Sequence, residues 1–188
     1  FELSTVVERH RNDSQVLYPY VEVVRSFEQL LQDESIELVV ITTPNTLHYQ
    51  MAREALEAGK HVVLEKPFTV DTDEARKLLR QARAANRVLT VYQNRRFDGD
   101  FMTIRKLLEQ EKLGQLVTYE AHFDTYRPQI KDDWREKDEP GSGILFDLGA
   151  HLIDQALVLF GMPEAITAEV GIRRPGAAVR ATSIGPAG

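Results

Sequence analysis

The sequence predicts an α/β fold whose first half is a parallel β-sheet covered by helices on both faces. Over the first 100 residues, apolar strand-like runs alternate with segments of helical periodicity. These runs are almost continuously apolar, which is typical of strands buried on both faces of a parallel sheet. The alternation stops after Arg96, where we expect the domain to change.

Local signals set the order of elements in the first half. Ser26 is a typical N-cap, Gly59 is a typical C-terminal stop, and Pro44 and Pro67 each end a strand. The last of the predicted helices carries acids early and bases later, which suits its macrodipole. The predicted strands are 1–7, 21–24, 36–44, 61–67 and 88–94, and the predicted helices are 27–34, 46–59 and 71–86.

The second half has a different pattern. We predict a helix over 100–114, a half-exposed strand over 116–126, a polar loop over 127–143, a helix from 144 and a strand over 166–174. Polar and apolar residues alternate in 116–126, as they do in a strand with one exposed face. The tail 175–188 shows no clear period. We therefore expect two domains, 1–97 and 98–188.

Composition excludes several classes of protein. The net charge of −6 argues against a general nucleic-acid binder or a binder of anionic membranes, since both need a basic face. The chain has no cysteine, so disulfides and thiolate metal sites are excluded, and we expect a cytoplasmic protein. The most apolar stretch, 144–162, contains two Asp and one His, which argues against a membrane span.

Polar residues cluster where the predicted parallel strands end. Ligands of open parallel sheets bind beyond the carboxyl ends of the strands. The charged pair Glu65 and Lys66 is held extended by the proline that follows it, and an alternative interpretation is a solvated ion pair. The candidate ligand-binding residues are Glu8, Arg9, Thr42, Thr43, Pro44, Asn45, Glu65, Lys66 and the segment 94–96.

The stretch 141–160 carries a second cluster. Asp147, His151 and Asp154 lie at i, i+4 and i+7, and on one helix they share a stripe. No Lys, Arg or Glu accompanies them between Ile144 and Met162, so the stripe does not resemble an ordinary solvated face. An Asp four residues before a His can orient the imidazole for general acid/base chemistry. A metal site is the alternative, less favoured because one helix does not easily supply three facial ligands.

Together these segments resemble a known family. “TTPNTLHYQMAREALEAGKHVVLEKP”, “NRRF” and “GSGILFDLGAHLID” are similar to the glucose-fructose oxidoreductase / inositol dehydrogenase / MocA family of NAD(P)-dependent oxidoreductases. The resemblance runs from about residue 1 to residue 176. It implies an N-terminal Rossmann domain and a C-terminal α/β domain with an antiparallel open sheet. It also implies a sugar, polyol or cyclitol substrate and a homo-oligomer, without metal, nucleic acid or membrane as partner.

The resemblance also implies roles for individual residues. Lys66 would bind the substrate hydroxyl and favour its deprotonation, His151 would be the acid/base group, and Asp147 would line the site beside it. Arg96 and Asp154 would shape the substrate site. The residues expected along the dinucleotide are Glu8, Arg9, Thr42, Thr43, Pro44, Asn45, His48, Glu65 and Lys66.

Two departures from the family pattern lead to further expectations. The family begins with a strand and a G-x-G-x-x-G turn, whereas Gly59 is the only glycine in the first 98 residues. We therefore expect Phe1 to begin the second Rossmann strand, with the first strand and the glycine turn missing. We also expect the C-terminal sheet to be incomplete and the 188 residues alone to be inactive.

Function and cofactor each have an alternative. A dinucleotide-sensing regulatory protein of the same fold is the second functional hypothesis, although Lys66, Asp147 and His151 together favour an enzyme. For the cofactor, Glu8 could accept a hydrogen bond from the NAD ribose. Arg9, followed by another basic residue at position 11, could meet the 2′-phosphate of NADP, which we favour.

Overall fold

The chain divides into two units, Phe1–Val91 and Tyr92–Gly188. The computed structural model describes residues 1–126, 128–172, 174–178 and 181–185, the last segment by its backbone alone. The assignment of 1–97 and 98–188 as domains stays a prediction. No helix in these described ranges is long and apolar enough to cross a membrane.

Strands and helices alternate in the first unit, as the apolar pattern predicts. The structure adds one short helix, α1, that we did not predict. The elements are β1 (Thr5–Val7), α1 (Asp13–Leu17), β2 (Glu22–Val24), α2 (Phe27–Gln32), β3 (Leu38–Ile41), α3 (His48–Glu57), β4 (His61–Glu65), α4 (Thr72–Ala84) and β5 (Leu89–Tyr92).

The strands of this unit form two ladders. β1 pairs with β2 in parallel, and β3 pairs with β4 in parallel from Leu38↔His61 to Ile41↔Leu64. β4 is the central strand of the order β3-β4-β5. Within the described residues the two ladders do not pair with each other. The parallel sheet is therefore confirmed, whereas the missing first strand stays a prediction.

One apolar core joins β3 and β4 to the helices. Side chains from both strands and from α2, α3 and α4 fill it, and the fully buried ones include Leu56, Leu64 and Leu78. The opposite face of β3 differs from the predicted two-sided burial, because Val40 is 62% exposed. Successive side chains of a strand point to opposite faces, so Val40 points away from the helices that cover Val39 and Ile41.

The N-cap at Ser26 and the C-terminal stop at Gly59 are present as predicted. Ser26 caps α2 by accepting a hydrogen bond from Gln29 N (3.2 Å), and the Gln29 side chain accepts one from Ser26 N (3.1 Å). Gly59 ends α3 with φ +72°, a conformation that favours glycine. Asp71 caps α4 by accepting hydrogen bonds from two backbone N–H groups of its first turn.

The second unit has little regular strand structure. Its elements are α5 (Gly99–Glu109), α6 (Ala150–Phe160), β6 (Thr167–Gly171) and β7 (Ala181–Gly185), with 3-10 turns at Asn94–Phe97 and Trp134–Glu136 and a π-turn at Leu145–Gly149. β6 and β7 pair antiparallel. A larger open sheet stays a prediction.

The predicted strand over 116–126 is wrong, because the structure places no strand there. Polar and apolar residues do alternate in this segment, but alternation predicts only which side chains share a face. A strand also needs a neighbour for its backbone N–H and C=O groups. Among the described residues, no strand runs alongside this segment.

Candidate active-site residues in the two units

The end of β4 presents Lys66 directly beyond the sheet. β4 finishes at Glu65, whose carboxylate accepts a hydrogen bond from the backbone N–H of Lys66 (2.9 Å). Both side chains are half-buried, and the Lys66–Pro67 peptide bond is cis. β4 is the central strand of its ladder, so Lys66 lies at the edge where parallel sheets bind ligands.

The turn after β3 brings the predicted cofactor residues together. Pro44 leads into the 3-10 turn Asn45–Leu47 and accepts a hydrogen bond from Leu47 N (2.9 Å). Asn45 is buried and Thr42 is exposed. The Thr43 hydroxyl is buried and has no hydrogen-bond partner in the described part of the chain. A buried hydroxyl without a partner is costly, and a bound ligand would satisfy it.

His48, predicted to contact the cofactor, lies between two backbone carbonyls. Its ring is fully buried at the first position of α3. Nδ1 lies 2.8 Å from the Pro67 carbonyl oxygen, and Nε2 lies 3.0 Å from the Thr43 carbonyl oxygen. Both ring nitrogens therefore face the protein backbone, and a contact of His48 with the cofactor stays a prediction.

Glu8 and Arg9 follow β1 in a loop that folds around Arg25. The Glu8 carboxylate accepts hydrogen bonds from the backbone N–H groups of Asp13 (2.8 Å) and Ser14 (2.7 Å) at the start of α1. Ser14, through its side chain and then its N–H, lowers the pKa of the Glu8 carboxyl. The Arg25 guanidinium donates to the Glu8 carbonyl (2.9 Å), and Arg9 is exposed.

In the second unit a π-turn separates Asp147 from His151. Asp147 lies inside Leu145–Gly149, whereas His151 lies in α6. The prediction of one regular α-helical stripe is therefore corrected, since a π-turn holds an extra residue and changes the angle between neighbouring side chains. His151 is 5% exposed. Asp147 is partly exposed, and its Oδ1 lies 3.9 Å from Arg135 Nε.

Asp154 and Arg96, both predicted to bind substrate, bind each other. Arg96 donates from Nε and Nη2 to the two oxygens of Asp154, at 2.7 and 2.6 Å. The Asp154 side chain is 14% exposed and that of Arg96 is 46% exposed. The hydrogen bonds that Arg96 donates to Asp154 raise the pKa of Arg96. One residue further along α6, the buried Gln155 donates to the Arg95 carbonyl (3.1 Å).

These contacts include residues that sequence reasoning missed. No sequence motif includes Gln155, Arg135 or Arg25. Their partners lie far away in sequence or at no characteristic spacing. The metal alternative for 147, 151 and 154 loses one ligand, because Asp154 is bound by Arg96. The described residues also contain no group of three or more His, Asp or Glu that could hold a metal ion.

Comparison with known protein families gives two matches along the chain. The model described as “Oxidoreductase family, NAD-binding Rossmann fold” matches residues 1–93. The model described as “GFO/IDH/MocA C-terminal domain” matches residues 101–185. Both matches belong to one family, and together they cover nearly the whole chain.

Individual proteins are similar over the same range. The uncharacterized oxidoreductase YdgJ of Escherichia coli is 47% identical over 176 residues, which are 94% of this chain and 51% of that protein. The scyllo-inositol 2-dehydrogenase (NADP(+)) IolW of Bacillus subtilis is 42% identical over 94% of this chain and 49% of its own length. A crystal structure of an oxidoreductase from Bacillus cereus superposes with a TM-score of 0.88 at 33% identity, over 97% of this chain and 53% of that one. The chain thus spans about half the length of the curated relatives it matches.

Proposed function

The chain belongs to the Gfo/Idh/MocA family of oxidoreductases, and on that basis we propose that the protein carrying it is an NAD(P)-dependent dehydrogenase or reductase. Its substrate is a secondary alcohol, or the matching carbonyl, of a sugar, polyol or cyclitol. The bound dinucleotide supplies the hydride acceptor or donor. IolW, whose name gives a cyclitol substrate, supports this choice of substrate class.

The observation that carries the proposal is the position of Lys66 at the carboxyl end of the central strand β4. An ammonium group at this edge can donate a hydrogen bond to the substrate hydroxyl oxygen and stabilise the negative charge that grows as its proton leaves. His151, buried on α6, takes up that proton in oxidation or returns it in reduction. Asp147 lines the site next to His151.

The residues after β3 and β4 fit a dinucleotide. The buried Thr43 hydroxyl, which has no partner in the described part of the chain, supports a ligand at this edge of the sheet. We propose that Thr42, Thr43, Pro44 and Asn45 contact the cofactor, with Glu65 near its nicotinamide end. His48 is left out of this set because both of its ring nitrogens face backbone carbonyls.

We propose NADP as the preferred cofactor. Both oxygens of Glu8 already accept backbone hydrogen bonds from the start of α1, which weakens Glu8 as an acceptor for a ribose hydroxyl. Arg9 beside it is exposed and can meet a 2′-phosphate. IolW, an NADP(+) enzyme by name, supports the same choice.

The catalytic proposal is tested on the full-length protein with a panel of sugars, polyols and cyclitols and with both cofactors. We expect turnover, and we expect Lys66→Met and His151→Asn each to lower kcat by about 10²–10⁴-fold. Lys77→Met and His122→Asn are matched controls, since both side chains are exposed. A wild-type protein that binds NADPH but turns over no compound would favour a dinucleotide-sensing regulatory protein instead.

The cofactor proposal has a separate test. We expect Arg9→Ala to lower kcat/KM with NADP about tenfold and to leave kcat/KM with NAD unchanged, because NAD lacks the 2′-phosphate. Arg76→Ala, which removes an exposed arginine of α4, is the control. An unchanged ratio of the two kcat/KM values in Arg9→Ala would exclude Arg9 as the reader of the 2′-phosphate. The predicted homo-oligomer stays a prediction.

A further inference from the structure

His48 connects the two turns that carry the proposed cofactor and substrate groups. We propose that His48 is a positioning residue, which holds the turn after β4 against the turn after β3 and thereby fixes Lys66. The inference rests on the proposed function, because it assigns to Lys66 the part given above. It gives His48 a role through its contacts with two backbone carbonyls.

The geometry places the imidazole between two backbone carbonyls. The ring is 0% exposed, with Nδ1 2.8 Å from Pro67 O and Nε2 3.0 Å from Thr43 O. Pro67 directly follows Lys66, and Thr43 carries the buried hydroxyl assigned to the cofactor. A displacement of the Pro67 carbonyl therefore displaces the backbone of Lys66 as well.

The chemistry of these groups makes the contact specific. A carbonyl oxygen only accepts hydrogen bonds, whereas an imidazole nitrogen donates when it carries a proton. A neutral ring donates to one of the two carbonyls, and a ring protonated on both nitrogens donates to both. In either state a rigid, fully buried ring sets the distance between the two turns. A hydrocarbon side chain would leave the two carbonyls without this partner.

Positioning matters because the reaction is sensitive to small displacements. A shift of about 1 Å in a reacting group can cost about 10²-fold in rate. Lys66 lies in a turn beyond the end of β4, so strand pairing does not hold it directly. The contact from His48 to Pro67 supplies a restraint there that the β-ladder does not.

Two substitutions separate the ring nitrogens. Asn at position 48 places an amide nitrogen near the position of Nδ1, which faces Pro67, whereas Gln places one near Nε2, which faces Thr43. We expect His48→Gln to lower kcat of the full-length enzyme by about 10–100-fold and His48→Asn to retain more of the activity. We expect the dissociation constant of NADPH to change less than kcat in both variants.

A double-mutant cycle with Lys66→Met tests whether His48 acts through Lys66. We expect His48→Gln to cause no further loss of kcat once Lys66 is Met, because the group being positioned is gone. Leu56→Ala is the control for general destabilisation, since Leu56 is buried on the same helix but faces the core. It should lower the melting temperature and leave kcat nearly unchanged.

Three results would each overturn the inference. The first is an equal loss of kcat from His48→Gln in the wild-type and the Lys66→Met background. The second is a His48→Gln variant with a raised NADPH dissociation constant and an unchanged kcat. The third is a loss of kcat in Leu56→Ala as large as that in His48→Gln. If the His48 variants do not fold, NMR of the ¹⁵N-histidine-labelled wild-type enzyme decides. We expect a slowly exchanging ring N–H at His48, and a rapidly exchanging one would refute the contact. A wild-type enzyme without turnover would instead count against the proposed function.

Discussion

The two units hold their proposed catalytic residues by different means. In the first unit, Lys66 follows β4, whose Val62 and Leu64 are fully buried in an apolar core. In the second, His151 lies on α6, and the described contacts of that helix with the Asn94–Phe97 turn are polar: the Arg96–Asp154 ion pair and the hydrogen bond from Gln155 to Arg95. Among the described side chains of the second unit, the buried apolar ones are Phe101 and Ala177.

The difference shows how each unit should respond to mutation and solvent. Apolar burial is non-directional and is not weakened by the screening of charges, so the first unit should depend mainly on side-chain volume in its core. An ion pair that is partly exposed depends on geometry and weakens with salt. The position of Lys66 should therefore resist salt, and the position of α6 should not.

Leu64→Ala should have the largest effect. It removes a fully buried side chain of β4 and leaves a cavity, which typically costs about 2–5 kcal/mol of the free energy of unfolding. Urea denaturation of the full-length protein measures the change. Val40→Ala is the control, because Val40 is 62% exposed on the neighbouring strand. Equal losses for the two variants would mean that the core described above does not stabilise the first unit.

Asp154→Asn should have an intermediate effect that is local to α6. It replaces a bidentate charge pair by a neutral contact, and half of the Arg96 surface is already solvated, so we expect a loss of about 1–2 kcal/mol. Hydrogen exchange of the α6 amides measures the loss. We expect it to shrink at high salt, because salt weakens the wild-type pair. Unchanged exchange in α6 would show that the ion pair does not fasten the helix.

Glu8→Gln should change the pH dependence of stability more than stability at neutral pH. The pKa of Glu8 is lowered in the folded protein, so its contribution is present above the pKa of an unfolded carboxyl and is lost as the pH falls through the folded pKa. The melting temperature of the wild type should therefore fall more steeply on acidification below about pH 4.5 than that of the variant. Parallel curves would contradict the hydrogen bonds that Glu8 accepts from α1.

Glu57→Gln should have the smallest effect. It breaks the exposed Arg53–Glu57 pair at i, i+4 on α3, and such pairs contribute about 0.3–0.5 kcal/mol. The comparison of Glu57→Gln with Asp154→Asn shows how the stability contributed by a solvated ion pair differs from that of a pair whose carboxylate is largely buried. Urea denaturation at low and high salt measures both variants. A loss as large as that of Asp154→Asn would remove the distinction between the two pairs.

The sequence by itself determined the parallel α/β organisation of the first unit and the candidate residues of the site. Apolar runs, the Ser26 cap, the Gly59 stop and the two prolines are local signals, and local signals act through backbone geometry and side-chain burial within a few residues. For the same reason the position of Lys66 at the end of a strand was predictable. The motifs around Lys66 and His151 also indicate the family from sequence alone.

Tertiary structure decided which residues hold the candidates in place. The contact of His48 with the Pro67 carbonyl joins residues 19 apart, and the pairing of Arg96 with Asp154 joins residues 58 apart. The periodicity of a sequence gives no information on contacts over such separations. It also decided that 116–126 is not a strand, because strand formation depends on a partner and alternation describes only faces. The π-turn before α6 holds one extra residue, so it changes the angle between the side chains of Asp147 and His151. The spacing of residues on an ideal α-helix does not predict this change. Local interactions form between residues that are close in sequence, so the sequence predicts them. Long-range polar contacts depend on where the folded backbone brings their partners.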